Sequence, residues 1–528
     1  MYHHSPSAFP PPSYPSTYHQ VPVEPGPCIM DDESKFVRNN SLARPAWSPV
    51  PDNDHHPLNN FTGKGLWASL AQRGSTRRVG VRAAPYVDSS RRKVDDVLYG
   101  VLQSMMSTVK DITLEEDNKL DGRSVAPENA RYVFDQMAAK QAPMLERLYV
   151  ENGREHMFHV PTHLFRGHVP QHFAALHLER CDLTFRSQLL MGTNLHALEL
   201  HRCPNVWSSF AELAETFRRL PNIETLILDG CLPPAPDSGW PVGITPQPFY
   251  HVRHINLVGD VLQVSKVFAC MIANPQTKLV LDVHSIGRST SQWLAMVIQR
   301  HFTQGQVDDS FHTLHIEPSA RIPGAAQFRV HCEKTSFGSL YITLPNVEDG
   351  LNLLAERKSA PYFREIESLV VDHPALENPQ HWLILDRALH ELSALVVPGR
   401  AMDALLNAMA MAPFEPLFPR LAYLSIQKAL FNCAEWQGTF YDKLVKQLRH
   451  RADVGHHGPY QLDIQNSELT EHMVAELRHF FNSPFSRPRR LFWDNKLHGL
   501  SRHRPKQPQA HDDALFNQWM SFSIPYIS

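Results

Sequence analysis

Apolar residues recur along this chain at one fixed spacing. Between Phe173 and Leu183 the sequence reads FAALHLERCDL, with Phe173, Leu176 and Leu178 apolar, Cys181 in the next slot and Leu183 closing the unit. This is the leucine-rich-repeat template L-x-x-L-x-L-x-x-N/C-x-L. The skeleton returns at Leu195-Leu198-Leu200-Cys203, Ile223-Leu226-Leu228-Cys231 and Val252-Ile255-Leu257-Asp260. Leu145-Leu148-Val150 precedes these, and Val109-Ile112-Leu114 gives the first strand of the series. Looser versions follow at Phe311-Leu314-Ile316, Phe337-Leu340-Ile342, Ile366-Leu369-Val371, Leu392-Leu395-Val397 and Leu421-Leu424-Ile426. Weaker candidates lie at Leu281-Val283, Leu462-Ile464 and Leu491-Trp493.

The segments between strands read as helices. Ser209 and Glu212 have capping-box spacing, and Phe210, Leu213, Ala214 and Phe217 form one apolar stripe. Arg218 and Arg219 suit the negative end of that helix, and Pro221 stops it. Similar patterns predict helices at 262–273, 291–302, 346–357, 379–391, 400–411, 435–450 and 467–482. Strand–helix alternation implies an α/β leucine-rich-repeat solenoid, with parallel strands on the concave face and helices on the convex face.

The rhythm also sets expected boundaries. Residues 1–60 are rich in Pro, Ser, Tyr, His and Asn and are expected to be disordered. Residues 61–108 form a basic and helical cap, with Arg73, Arg77, Arg78 and Arg82 ahead of Val94, Val97, Leu98, Val101, Leu102 and Met105. The solenoid spans 109–495, with a proline-rich insertion near 232–249, and a polar tail covers 496–528.

Composition narrows the function classes. The 51 basic and 54 acidic residues nearly cancel, which argues against a dedicated nucleic-acid binder. No apolar run is long enough to span a membrane, and the N-terminus lacks the pattern of a secretory signal. Seven cysteines, an odd number with no C-x-x-C pair, point to a reducing cytoplasmic or nuclear compartment.

Catalytic motifs are missing: the sequence has no G-x-S-x-G, no phosphate loop and no kinase set. The chain therefore reads as a non-enzyme, without a catalytic residue, cofactor, metal or small-molecule substrate. Cys181, Cys203 and Cys231 fill a structural slot in the repeat turn. The pairs His3-His4, His55-His56 and His456-His457 point apart on extended chain and are poor metal ligands. Pro11-Pro12-Ser13-Tyr14 is a P-P-x-Y tetrapeptide, so Pro11, Pro12 and Tyr14 are a candidate WW-domain ligand.

The positive feature is the strand face. Residues between the inward positions point outward and form a row that suits a protein partner. The row comprises Arg147, Tyr149, His177, Glu179, Glu199, His201, Ile227, Asp229, His254 and Asn256. It continues at Thr313, His315, Ser368, Val370, Tyr423 and Ser425, and most of these positions are expected to be solvated. Two alternatives stand beside the scaffold reading: a nucleic-acid-associated protein using the basic 73–93 segment, and an enzyme with an unrecognised site.

Three stretches resemble a known family. LWASLAQRGSTRRVGVRA at 66–83, the run LERLYVENGREHMFHVPTHLFRGHVPQHFAALHLERC ending at Cys181, and FRRLPNIETLILDGCLPP from Phe217 are similar to the leucine-rich-repeat region of the F-box-like proteins of mushroom-forming fungi. The resemblance covers about Leu66 to Trp493. It implies a substrate receptor of a Skp–cullin–F-box ubiquitin ligase, with the repeats holding the substrate. No F-box text of the L-P-x-E-[IL] type stands upstream of Leu66, so no residue that binds the Skp adaptor carries over. The F-box is expected to be either lost or encoded ahead of Met1.

Overall fold

The computed structural model describes residues 66–72, 78–83, 106–107, 109–116, 134–152, 157–235, 244–284, 290–302, 311–331, 338–357, 359–412, 415–429, 431, 439–454, 459–467, 469–481, 490–493 and 496–498. All of them lie in one of two units, that of His56–Ser528. The expected disordered tail, the helix at 94–105 and the centre of the proline-rich insertion lie outside the described residues.

The fold is mixed α/β, built on a long, mostly parallel sheet lined by helices. Its first strands are β1 (Leu66–Gln72), β2 (Arg78–Ala83), β3 (Val109–Glu116) and β4 (Arg147–Glu151). A two-stranded side ladder joins β5 (Phe158–His159) to β7 (Cys181–Asp182), while β6 (Ala175–Glu179) continues the main sheet. Next come β8 (Ala197–His201), β9 (Thr225–Asp229), β11 (His254–Gly259) and β13 (Lys278–Val283). Beside them, β10 (Gln247–Phe249) pairs with β12 (Met271–Ala273), so the proline-rich insertion ends in a strand. The later strands are β14 (Thr313–Pro318), β15 (Ala326–His331), β16 (Leu340–Leu344), β17 (Ser368–Val371), β18 (Ala394–Pro398), β19 (Tyr423–Gln427), β20 (Gln461–Gln465), β21 (Arg490–Trp493) and β22 (Lys496–His498).

Helices α1 (Phe210–Arg219), α2 (Val261–Cys270), α3 (Thr290–Phe302), α4 (Val347–Ala355), α5 (Pro379–Ala388), α6 (Gly399–Met411), α7 (Thr439–Asp453) and α8 (Glu471–Phe481) follow strands. Neighbours from α1 to α7 pack side by side in chain order. Their apolar stripes meet the inward strand residues in one core that includes Leu148, Leu176, Leu198, Leu226, Ile255, Leu279, Phe268, Trp382 and Leu405. This arrangement fits the stacked units of a solenoid.

The in-register ladder explains why the spacing is strict. Leu148, Leu176, Leu198, Leu226, Ile255 and Leu279 stand beside one another across six strands. A one-residue slip would turn every one of them to the opposite face. Each unit also starts and ends alike. Backbone amides of Ala197, Thr225 and His254 reach the carbonyls of Ala174, His196 and Glu224, in the loop before the neighbouring strand. After the strand, Arg180, Arg202, Gly230, Lys428 and Asn466 adopt positive φ. The next residue then turns inward, and at three positions it is the repeat cysteine. Cys203 donates to the Leu178 carbonyl at 3.5 Å, and Cys231 to that of Leu200 at 3.6 Å. These two thiols thus tie their units to the preceding ones, while Cys181 donates to the Glu179 carbonyl of its own unit at 3.4 Å. Burial pushes the Cys203 thiol up to about 11 and raises those of Cys181 and Cys231 well above their usual value, so they stay protonated.

Three expectations need correction. First, the units do not all stack in chain order. Spatially the sheet runs β13–β16–β15–β14–β17, with β15 antiparallel to both neighbours. A backward meander therefore fills three places, and because only one strand of it is reversed, β14 and β16 keep the direction of the rest. Gly338 permits the junction: a Cβ there would lie 2.0 Å from the Thr277 carbonyl oxygen. Second, within the cap expected at 61–108, residues 66–72 and 78–83 form a strand pair, with β1 antiparallel to both β2 and β3. At the other end, β22 extends the sheet antiparallel to β21, past the expected boundary at 495. Third, the α1 capping box is closed differently. Ser209 Oγ accepts from Glu212 N at 3.3 Å, but the Glu212 carboxylate accepts from Ser208 N at 2.6 Å.

Two substitutions test this reading. Leu198→Asp is expected to destabilise the chain by ~3–5 kcal/mol, because it places an uncompensated charge in the core. Gly338→Ala is expected to cost ~1–3 kcal/mol by forcing β16 away from β13. Denaturation midpoints measured by circular dichroism check both.

Candidate functional site on the open strand face

The sheet face turned away from the helices carries three parallel rows of side chains. The middle row reads Tyr149, His177, Glu199, Ile227, Asn256, Val280, Tyr341, Arg329, His315, Val370, Val396, Ser425, Asp463 and Phe492 in strand order. A flanking row near the C-terminal strand ends reads Glu151, Glu179, His201, Asp229, Val258 and Asp282. All ten residues from Arg147 to Asn256 assigned to this face from the sequence stand on it, on the consecutive strands β4, β6, β8, β9 and β11.

They are less solvated than expected. His177, Glu199 and Asn256 are only 8%, 5% and 6% exposed. Parallel strands place their neighbours ~4.8 Å away, so long side chains in adjacent register cover one another. The Tyr149 ring stacks on His177 with 4.2 Å between centroids, and His177 Nδ1 lies 2.8 Å from Glu199 Oε2. The His201 ring is 5.0 Å from that of His177, and its Nδ1 is 3.4 Å from Asp229 Oδ2. That contact with His201 holds the Asp229 carboxyl below its usual range. Tyr149 donates to Glu151 at 2.7 Å, and Arg147 forks onto both oxygens of Asp111. The first part of the face is therefore a network of imidazoles and carboxylates.

The meander changes its character. Arg329 Nη2 lies 3.3 Å from His315 Nδ1, and Lys278 stands 4.9 Å above the Tyr341 ring. His331 meets both His315 and Tyr341 edge to face. Arg321 donates at 2.7 Å to Asp282, whose side chain is almost wholly buried. Burial, with Arg329 second, pushes His315 and His331 down to about 4, so both rings are neutral at pH 7. Further on, Tyr423 donates to Asp463 at 3.3 Å, and burial followed by that carboxylate pushes its hydroxyl up to about 12.

Sequence reasoning missed Lys278, Arg321, Arg329, His331 and Tyr341. The alternation in AQFRVH at 326–331 was a usable strand signal, but nothing in it gave the strand's place in the sheet. Pro11, Pro12 and Tyr14, and the three histidine pairs, lie outside the described residues. Of the basic 73–93 segment only Arg78–Ala83 is described, as strand β2.

No protein-family model matches the chain, and no curated protein matches it. Among solved structures, an internalin (inlF) from Listeria monocytogenes str. 4b F2365 covers 73% of this chain and 85% of its own, at 10% identity and a TM-score of 0.23. A superposition that loose transfers neither fold nor function. Among the described residues no helix is long and apolar enough to cross a membrane.

The depressed histidines set a pH dependence. Between about pH 4 and 6.5 the unfolded chain binds protons at His315 and His331 that the folded chain does not, so stability rises with pH there and falls on acidification. Urea midpoints from pH 7.5 to 4.5 should decline, and His331→Gln should flatten the decline. An equal slope in that variant counts against the assignment.

Proposed function

We propose that this protein is a non-catalytic scaffold that holds another protein against the open strand face. The carrying observation is the unbroken outward row from Tyr149 to Tyr341, which mixes aromatic rings, an aliphatic position at Ile227 and pre-ordered charges. Aromatic and arginine side chains held in place lose little entropy on binding and are enriched where proteins meet. The imidazole–carboxylate stretch beside the Lys278–Arg329 stretch offers a partner two kinds of charge in a fixed order, which favours specificity. Arg147, Tyr149, His177, Glu179, Glu199, His201, Ile227, Asp229, His254 and Asn256 form the contact set in this reading, on what would be the concave side of a leucine-rich-repeat solenoid.

The finer reading, a substrate receptor of a Skp–cullin–F-box ligase in the cytoplasm or nucleus, rests on the family resemblance and the cysteine usage. The P-P-x-Y segment at Pro11, Pro12 and Tyr14 is a second, separate docking element for a WW domain.

A photo-crosslinking residue at Ile227, compared with one at the exposed Arg218 on α1, separates the faces. Crosslinks to a discrete protein from position 227 and none from 218 are expected. The reverse pattern removes the strand face as the binding surface. Recovery of a Skp adaptor in the same purification supports the receptor role, and its absence removes that role but leaves the scaffold.

A further inference from the structure

The same face holds a cluster that the binding row does not need. His177, Glu199 and His201 each bring one nitrogen or carboxylate oxygen to a common point, with all three atoms within 4.8 Å of one another. The sheet makes this cluster. His177 on β6 stands directly beside Glu199 on β8, and His201 lies two residues beyond Glu199 on the same face. We propose that these three side chains bind a divalent transition-metal ion of the zinc type, in a site with three protein ligands and one exchangeable position.

Four observations support an ion there. Two imidazoles and one carboxylate form a ligand set common to zinc and ferrous sites that keep an open position. Glu199 is buried, and among the described residues its Oε1 has no hydrogen-bond partner, so an enclosed acceptor oxygen is left for a ligand. The rings are held in place before any ion arrives: Tyr149 stacks on His177, and the Asp229 carboxylate meets Nδ1 of His201. A carboxylate behind a ligating imidazole is the usual outer support of such sites, and it leaves Nε2 for the metal. Finally, Glu179 on the strand of His177 and Glu151 and Asp229 on the flanking strands surround the cluster, against Arg202 at 3.8 Å from Glu179 and the charge of Arg321 acting on Asp229. The local balance is negative.

A tetrahedral site with Zn–N bonds of ~2.0 Å has edges of ~3.3 Å, whereas the separations here extend up to 4.8 Å and the His177–Glu199 contact is 2.8 Å. Small side-chain rotations close that difference, and the ion then replaces the His177–Glu199 hydrogen bond. The opening lies on the His201 side, where that side chain is a quarter exposed. Water, or an oxygen or nitrogen from a docked protein, completes the shell.

The test uses the full chain freed of metal by chelation and titrated calorimetrically with Zn²⁺ and with Co²⁺. One tight equivalent per chain is expected, with cobalt d–d bands in the visible and no thiolate charge-transfer band. His201→Ala should weaken binding by at least ~100-fold, and Asp229→Asn by ~10–100-fold. The double variant His456→Ala/His457→Ala should bind as the unsubstituted chain does. The metal-free midpoint of Asp229→Asn serves as the folding control should His201→Ala fail to fold. No stoichiometric binding, unchanged affinity in both site variants, or a thiolate band overturns the proposal. None of these results bears on whether a protein docks on the face.

Discussion

Everything in this structure depends on the in-register pairing of parallel strands. Pairing at a fixed register lines up Leu148, Leu176, Leu198 and Leu226 on one side and Tyr149, His177, Glu199 and Ile227 on the other. The first column is dry and fuses with the helices, where burial drives folding. The second forms the open face of the sheet, turned away from the helices. The two cannot be varied separately, because side chains alternate strictly along a strand. The left-handed residue after the strand and the cysteine thiol that reaches back to the preceding unit keep that register from one unit to the next.

Stacking also alters the chemistry of the outward side chains. A histidine on an isolated strand would be solvated. Beside Tyr149 and Glu199, His177 is buried and held in a fixed orientation. In the meander, His315 and His331 are kept neutral by burial and by Arg329. The face is thus pre-organised: its polar groups already hold one another and need little reordering to meet a ligand.

The meander of β14, β15 and β16 shows how a regular sheet accepts an irregular insert. One reversed strand between two forward ones leaves the parallel ladder intact on both flanks. It also introduces Arg329 and Tyr341 into the outward row, where the repeat template supplies no such pair. The change from an imidazole–carboxylate surface to a basic, aromatic one coincides with this insert.

Much of the fold was legible in the sequence, since the inward leucines, the repeat cysteines and the helical stripes each obey a local period. Residues Leu176, Leu178 and Cys181 specify strand, face and turn without reference to anything distant. The same period marked which side chains point outward. It carried no information on the order in which units stack. That order depends on long-range pairing such as Leu279 beside Leu340, and on the absence of a side chain at Gly338. Nor could spacing along the chain show that His177 and Glu199, 22 residues apart, lie within hydrogen-bond distance of each other. A period is set by local geometry and is written in the sequence. Which residues meet across strands is settled only when the sheet closes its register, and at that step a row of outward-facing residues packs into one network.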